Sequence, residues 1–179
     1  RETHMTVQAL FADLLVIDCA SFIAGPAAGT ILADFGASVI KIEPPDGDGY
    51  RKLKHLPGVP RCDSNYPWRL TNRNKESLAL DLKQPEARAV LERLLSRADV
   101  FITNYPLPVR DKLRLQYTDM SALNPKLIYA SLTPYGEFGP EAGSTGYDAT
   151  AWWARSGLMD SVRASSDTLP GISVPGMGD

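Results

Sequence analysis

The 179 residues carry 19 basic and 21 acidic side chains, a formal net charge of -2, and 44% hydrophobic residues. That balance suits one globular domain with a real core and gives no electrostatic case for nucleic acid or a membrane surface. No apolar run approaches the roughly 20 residues needed to span a bilayer, and two cysteines, Cys19 and Cys62, fit reduced thiols in a cytoplasmic protein better than a disulfide scaffold.

RETHM at the start reads as a cloning remnant, so residues 1–4 are set aside and Met5 is the expected native start. Leu14 to Pro45, LLVIDCASFIAGPAAGTILADFGASVIKIEPP, then spells strand, turn, helix, glycine stop and strand, one complete βαβ unit. LLVID is a short apolar run of the kind a buried parallel strand needs, and SVIKIE is a second, β-branched one. Gly25-Pro26 suits a helix entry, with Pro26 at the first helical position. The helix AAGTILADF stops at Gly36, where a left-handed residue costs little. The loop Cys19 to Gly25 thus falls at the carboxyl end of the first strand, the edge at which open α/β sheets bind ligands. Neither G-x-G-x-x-G after that strand nor G-x-x-x-x-G-K-[ST] occurs, so neither a dinucleotide fingerprint nor a P-loop is supported.

Pro44 to Trp68 has no helical or alternating period and reads as a long surface excursion. Leu78, Leu80 and Leu82 alternate as in a strand with one better-buried face. Pro85 opens a helix whose stripe Ala87, Val90, Leu91, Leu94, Leu95 and Ala98 is core. Burial of Val90, Leu91, Leu94 and Leu95 is worth roughly 1.5–3 kcal/mol each before entropy costs. VFITN (100–104) is a strand, followed by a short helix near Val109 to Leu115 and another with Thr118 as N-cap. LIYASLT (127–133) is a further strand. Strands and helices that alternate without hairpin turns predict an α/β fold: a Rossmann-like, open, mainly parallel sheet flanked by helices. Tyr135 to Thr145 is glycine-rich and irregular, Asp148 caps a helix through ATAWWARSG that stops at Gly157, and SSDTLPGISVPGMGD is loop-like.

Histidine chemistry has little support, since His4 lies in the tag-like segment and His55 in a polar loop. His and Cys never fall at metal-ligand spacing, so no metal is expected. The conspicuous pieces left are SLTPYGEFGP with TGYDATAWWARSG, and the terminal PGMGD. On composition alone Asp179 is a solvated surface residue and Tyr147 is plain packing.

The order strand–x-x-x-AGP–helix–LADFGA–VIKIE resembles the opening of the family III CoA-transferases, which include formyl-CoA transferase and carnitine CoA-transferase. The likeness runs through nearly all of residues 10–179. It implies that residues 5–179 are the N-terminal part of the large domain, with the rest of that domain and a small domain absent, and that the whole protein forms an interlocked homodimer. It implies acyl-CoA and a free carboxylic acid as substrates. The family's nucleophile is the aspartate of a Gly-Asp pair, here Gly178-Asp179. An aspartate is ionised at neutral pH, so its carboxylate can attack a thioester and divide one hard transfer into easier steps through an aspartyl-acyl anhydride and an aspartyl-CoA thioester. Gly178 then permits close backbone approach to the reacting carbonyl.

Tyr147 matches an active-site tyrosine of formyl-CoA transferase. The related α-methylacyl-CoA racemases have a histidine base there, and a phenol is a poor base at neutral pH. Transfer is favoured over racemisation; a non-catalytic CoA- or nucleotide-binding homologue is the remaining alternative. CoA contacts implied by the resemblance are Ile23 and Ala24 after the first strand, then Leu80, Asp81, Leu82 and Lys83. Asn104 and Tyr105 follow, the tyrosine ring available to adenine, and Lys112 keeps a positive charge where formyl-CoA transferase has arginine. Ile23 replaces a glutamine and Pro44 a basic residue, with Arg51, Lys52 and Lys54 close enough to compensate. GYDATAWWARSGLM resembles the branch that acts on aryl or 2-hydroxy acids, with Trp152 and Trp153 as candidate walls of an apolar acyl pocket.

Overall fold

The computed structural model describes residues 9–55 and 60–179; the expected remnant and native start lie outside the described residues. Five short strands, β1 (Leu15–Asp18), β2 (Ser38–Glu43), β3 (Glu76–Ala79), β4 (Val100–Thr103) and β5 (Ile128–Ser131), form one sheet in the order β3-β2-β1-β4-β5. Every pairing is parallel. The chain adds strands on one side of β1 as far as β3, then returns to add β4 on the other. Such a reversal opens a crevice at the carboxyl ends of the two strands that flank it.

Alternation along the strands sends side chains into two separate cores. On one face Ile17 and Phe101 meet Leu91, Leu95, Leu115 and Met120; on the other Val16, Val39 and Ile102 meet Ala33 of the first helix. The layers are α1 (Ala24–Asp34) against the second face and α3 (Pro85–Leu95) with α5 (Tyr117–Leu123) against the first. The α/β class expected from the sequence is the one found.

Details depart from the expected elements for local reasons. Helix α1 begins at Ala24, so Gly25 and Pro26 lie within its first turn instead of Pro26 opening it. A Cβ on Gly25 would stand 2.4 Å from the Ala20 Cβ, so this glycine is required for the helix to start directly beneath the loop. Gly36 ends the helix at φ +102°. The excursion from Pro44 to Trp68 includes a 3-10 helix (Gly49–His55) and the start of α2 (Tyr66–Asn72). Strand β3 stops at Ala79; beyond it Leu80 donates its N–H to the Glu43 carbonyl at 2.8 Å, and Leu80 and Leu82 pack on the core from a loop. The α3 stripe buries Leu91, Leu95 and Ala98 fully, whereas Leu94 is half-buried and Val90 stays 37% exposed, so the expected burial of Val90 and Leu94 is corrected.

The next helices run α4 (Leu107–Leu113) and then α5, whose N-cap is Gln116. Thr118 is the second residue of α5; the cap is completed by the Gln116 N–H donating to Asp119 Oδ2 at 3.1 Å. Asp148 opens a π-helical turn to Ala154 with Tyr147 at its N-cap, and a one-turn helix α6 (Leu158–Ser161) follows Gly157, whose φ is +82°.

Candidate active site

The loop Cys19 to Ile23 leaves β1 at the reversal point, and buried side chains hold almost every polar group in its first half. Ala20 N–H donates to Asp18 Oδ1 at 3.1 Å, and Lys41 Nζ donates to the Ala20 carbonyl. Asn104, at the end of β4, accepts from Ser21 N–H at 2.8 Å through Oδ1 and donates from Nδ2 to the Ser21 carbonyl at 2.7 Å. Ser21 Oγ donates to Asp48 Oδ1 at 2.8 Å. Asn104, expected to line CoA, is thus a clamp between the two loops of the crevice. The next residue, Phe22, has φ +64°, a conformation bulky side chains rarely adopt.

Beneath the loop lies a charge-balanced network of three cations and three anions. Lys41 Nζ is 3.2 Å from Asp48 Oδ2 and 3.7 Å from Asp18 Oδ1, and Lys75 Nζ is 2.8 Å from Asp18 Oδ2. Arg51 holds Glu43 through Nε and Nη2 at 2.6 and 2.7 Å while Ser77 Oγ donates to Glu43 at 2.7 Å. Burial alone would raise the Glu43 carboxyl, but hydrogen bonds from Arg51, Ser77 and the Asp48 N–H outweigh it and hold the pKa at about 2. Burial lowers the Lys75 ammonium despite Asp18 beside it. Burying such charges is tolerable only because each is paired and hydrogen-bonded.

Asp179 approaches this loop from the far end of the chain. Gly176, at φ +81°, is the contact: a Cβ there would lie 3.1 Å from Ile23 Cδ1 and 3.7 Å from Asp179 Oδ2. Asp148 Oδ2 accepts the Gly176 N–H at 2.7 Å. A Cβ on Gly178 would lie 2.7 Å from Trp152 Cγ, so this glycine lets the backbone lie flat on an indole. Partial burial, and then the neighbouring Asp148 carboxylate, raise the Asp179 carboxyl above its usual range. Tyr147 is 66% exposed and meets the Phe22 ring edge-on at 5.9 Å; Tyr50 meets Phe22 from another side at 6.2 Å. The Tyr50 phenol is raised by burial and then by the charge of Asp179. Ile23, Tyr147, Gly178 and Asp179, far apart in sequence, therefore share one corner of the crevice.

Of the other expected ligand contacts, Leu80 to Lys83 follow the carboxyl end of β3 and Asn104 with Tyr105 that of β4. Ala24 is the first residue of α1. Asp81 is occupied locally, accepting from the Lys83 N–H and Gln84 Nε2 at 3.2 Å each, and Lys83 is exposed. Tyr105 packs on the core instead of standing free, and burial pushes its phenol up. Lys112 is exposed on the last turn of α4. The cations expected to compensate for Pro44 are engaged: Arg51 pairs with Glu43 and stacks 3.8 Å from the Trp68 ring centroid, Lys52 is 3.2 Å from Asp46, and Lys54 donates to the Asp63 carbonyl at 2.6 Å. Trp152 carries Gly178, while Trp153 Nε1 donates to the Gly171 carbonyl at 2.9 Å.

Sequence inspection missed the network and Arg110. Arg110, fully buried on α4, donates at 2.6 Å to the Tyr105 carbonyl, Ser131 Oγ and Glu137 Oε1, pinning the loop after β5. A lysine within VIKIE and an aspartate closing LLVID, charges in strands that read as buried, were the available signals for the network. Nothing in LPVRDKL marks Arg110 as an interior residue. Both cysteines are free; burial pushes the Cys19 thiol up to about 12. Among the described residues no cluster of His, Cys, Asp and Glu could hold a metal ion, and no helix is long and apolar enough to cross a membrane.

A parallel sheet reversed at β1 and β4, with a clamped loop at the reversal and a carboxylate over it, defines an α/β domain with a ligand crevice at its carboxyl edge. The chain belongs to CoA-transferase family III, whose family model matches residues 11–179. It is 39% identical over 171 residues to the cinnamoyl-CoA:phenyllactate CoA-transferase of Clostridium sporogenes, covering 95% of this chain and 41% of that protein. To the succinate–glutarate CoA-transferase of Agrobacterium fabrum it is 44% identical over 163 residues, 89% of this chain and 40% of that one. The fold superposes on a CAIB/BAIF family protein from Brucella suis with TM-score 0.78 at 37% identity, over 89% of this chain and 42% of that chain. The chain thus spans about two-fifths of the length of the curated relatives it matches.

Proposed function

We propose that the protein transfers coenzyme A between an acyl-CoA thioester and a free carboxylic acid, with Asp179 as nucleophile. The observation that carries this is the turn at Gly176, where a Cβ would lie 3.1 Å from Ile23 Cδ1 of the reversal loop and 3.7 Å from Asp179 Oδ2. In the first step the Asp179 carboxylate attacks the thioester carbonyl and the CoA thiolate leaves, giving an aspartyl-acyl anhydride. The thiolate then attacks the Asp179 carbonyl of the anhydride, releasing the first carboxylate and leaving an aspartyl-CoA thioester. The incoming carboxylate displaces CoA to form a second anhydride, and CoA attacks its acyl carbonyl, freeing Asp179 and the new acyl-CoA. Asp179 is exposed, which supports this role by leaving its carboxylate accessible to a thioester carbonyl. No step needs a metal ion.

The loop residues Ile23 and Ala24, the stretch Leu80 to Lys83, Asn104 and Lys112 form the proposed CoA wall, with Asn104 acting through its hold on Ser21 and Tyr105 behind it, packed on the core. Tyr147 flanks the nucleophile; as a phenol it favours transfer over a racemase-like proton exchange. The names of the relatives span a phenyllactate and a glutarate enzyme, so the acyl group is open between aryl or 2-hydroxy acids and dicarboxylic ones. We place residues 5–179 in the large domain of a homodimeric, cytoplasmic enzyme.

Intact mass spectrometry of the full-length protein incubated with an acyl-CoA panel and trapped with hydroxylamine tests the proposal. An adduct at Asp179 that Asp179→Ala lacks is expected. Absence of an adduct across the panel would sink it.

A further inference from the structure

Phe22 has the least favourable backbone of the site, and its neighbours keep it there. Its φ of +64° is one that residues with a bulky side chain rarely hold unless their surroundings over-determine it. Asn104 fixes both the amide and the carbonyl of Ser21, Asp48 fixes its hydroxyl, and Ala27 N–H holds the Ile23 carbonyl at 2.7 Å. Non-glycine residues held this way cluster at active sites and ligand clamps. Phe22 keeps 36% of its surface exposed, so an incoming group can reach it.

That ring is the middle of an aromatic arc. Tyr147 meets it edge-on at 5.9 Å, Tyr50 packs on it at a tilt at 6.2 Å, and the next residue along the chain, Ile23, borders the turn that carries Asp179. An aromatic group added to such a cluster gains edge-to-face or offset-stacked contacts with its rings. Charge points the same way. Asp148 holds the Gly176 N–H beside Asp179, so two carboxylates already face the corner where the acyl group must react. A dicarboxylic acyl chain adds a third negative charge there, which a neutral aryl chain does not.

We propose that Phe22 selects the acyl group, and that the site prefers neutral aromatic acyl groups to dicarboxylic ones. The proposal deepens, and rests on, the transferase function proposed above. The test is the specificity of the full-length protein, measured as kcat/KM with acetate as common acceptor and 3-phenylpropionyl-CoA, butyryl-CoA and succinyl-CoA as donors. Wild type should use the phenylpropionyl donor at least about tenfold better than the succinyl donor. Phe22→Ala should lose about tenfold with phenylpropionyl-CoA and less than about threefold with butyryl-CoA. Phe22→Leu, which keeps apolar bulk without a ring, should fall between them. A uniform fall across all three donors in the variants overturns the proposal, as does equal or better use of succinyl-CoA by wild type. If circular dichroism shows Phe22→Ala unfolded, Phe22→Leu against wild type decides. Wild-type protein that transfers from no donor and forms no Asp179 adduct overturns the transferase function itself, and this selectivity with it.

Discussion

Replacing Asp48 by alanine should cost about 3–5 kcal/mol of folding free energy, the range expected when one partner of a buried ion pair is removed. Asp48 is 4% exposed and holds three donors: Lys41 Nζ at 3.2 Å, Ser21 Oγ at 2.8 Å and the Tyr50 N–H at 2.8 Å. The Ser21 and Tyr50 bonds end on an ionised carboxylate and are worth about 1.5–3 kcal/mol each, so they carry part of the loss. The rest comes from Lys41, only 1% exposed, whose remaining carboxylate, Asp18, stands 3.7 Å away. Lys41 is then a buried cation that shares its one remaining carboxylate, Asp18, with Lys75. Removing that cation as well should therefore recover stability, and Lys41→Met with Asp48→Ala should regain about half of what Asp48→Ala loses. Urea unfolding followed by tryptophan fluorescence and circular dichroism measures both, provided the two signals give one transition. A loss below about 1 kcal/mol for Asp48→Ala, or a double variant no better than the sum of the singles, refutes the reasoning.

Gly178→Ala should leave the melting temperature within a few degrees of wild type but slow Asp179 adduct formation by about a hundredfold, because its Cβ would stand 2.7 Å from Trp152 Cγ and push the backbone off the indole; unchanged adduct kinetics would show that Trp152 yields instead. Thiol labelling under native conditions should modify the exposed Cys62 and spare Cys19, whose pKa of about 12 and complete burial keep it unreactive; labelling of both before unfolding contradicts the buried position. Glu43 has its folded pKa lowered from 4.5 to about 2, so its stabilisation is fully present above the ordinary carboxylate value and is lost as pH falls towards 2. Glu43→Gln should flatten the acid side of the stability profile below about pH 4.5, and an unaltered acid limb in thermal melts would exclude Glu43 as its source.

The parts of the fold that were plain in the sequence are those where local signals and burial agree. LLVID and SVIKIE are rich in aliphatic residues because both strands are covered on both faces, and Gly36 marks its turn because φ +102° leaves few alternatives. Helix α2 escaped notice because Tyr66–Asn72 has a proline near its start and no apolar stripe; it forms through contacts that the local sequence does not announce. Val90 misled for the opposite reason: it fits the helical period of α3, yet the sheet beneath it covers only Leu91 and Leu95 fully. At the site, the family likeness brought out Ile23, Tyr147 and Asp179, and their convergence is a property of tertiary structure that spacing cannot express. The network under the loop was hidden because Lys41 and Asp18 look like ordinary charges until their neighbours supply the partners that permit burial.

The position of β1 bears on how the protein assembles. Its first neighbour, β2, arrives after one short helix, but β4 arrives much later: Leu15 N–H is bonded to Asp99 Oδ2, 84 residues away at 2.8 Å. Closing a loop of that length costs about 4 kcal/mol in chain entropy, and parallel pairing of distant strands is slow. During synthesis the β1–β2 unit can form early, while the other edge of β1 waits unpaired for VFIT to leave the ribosome. Asn104 follows directly behind that strand, so the Ser21 clamp and the posture of Phe22 come into being only after β4 docks. Until then the nascent chain carries an open, apolar strand edge, a feature that invites mispairing or chaperone capture. The crevice is thus among the last parts of this sheet to be made.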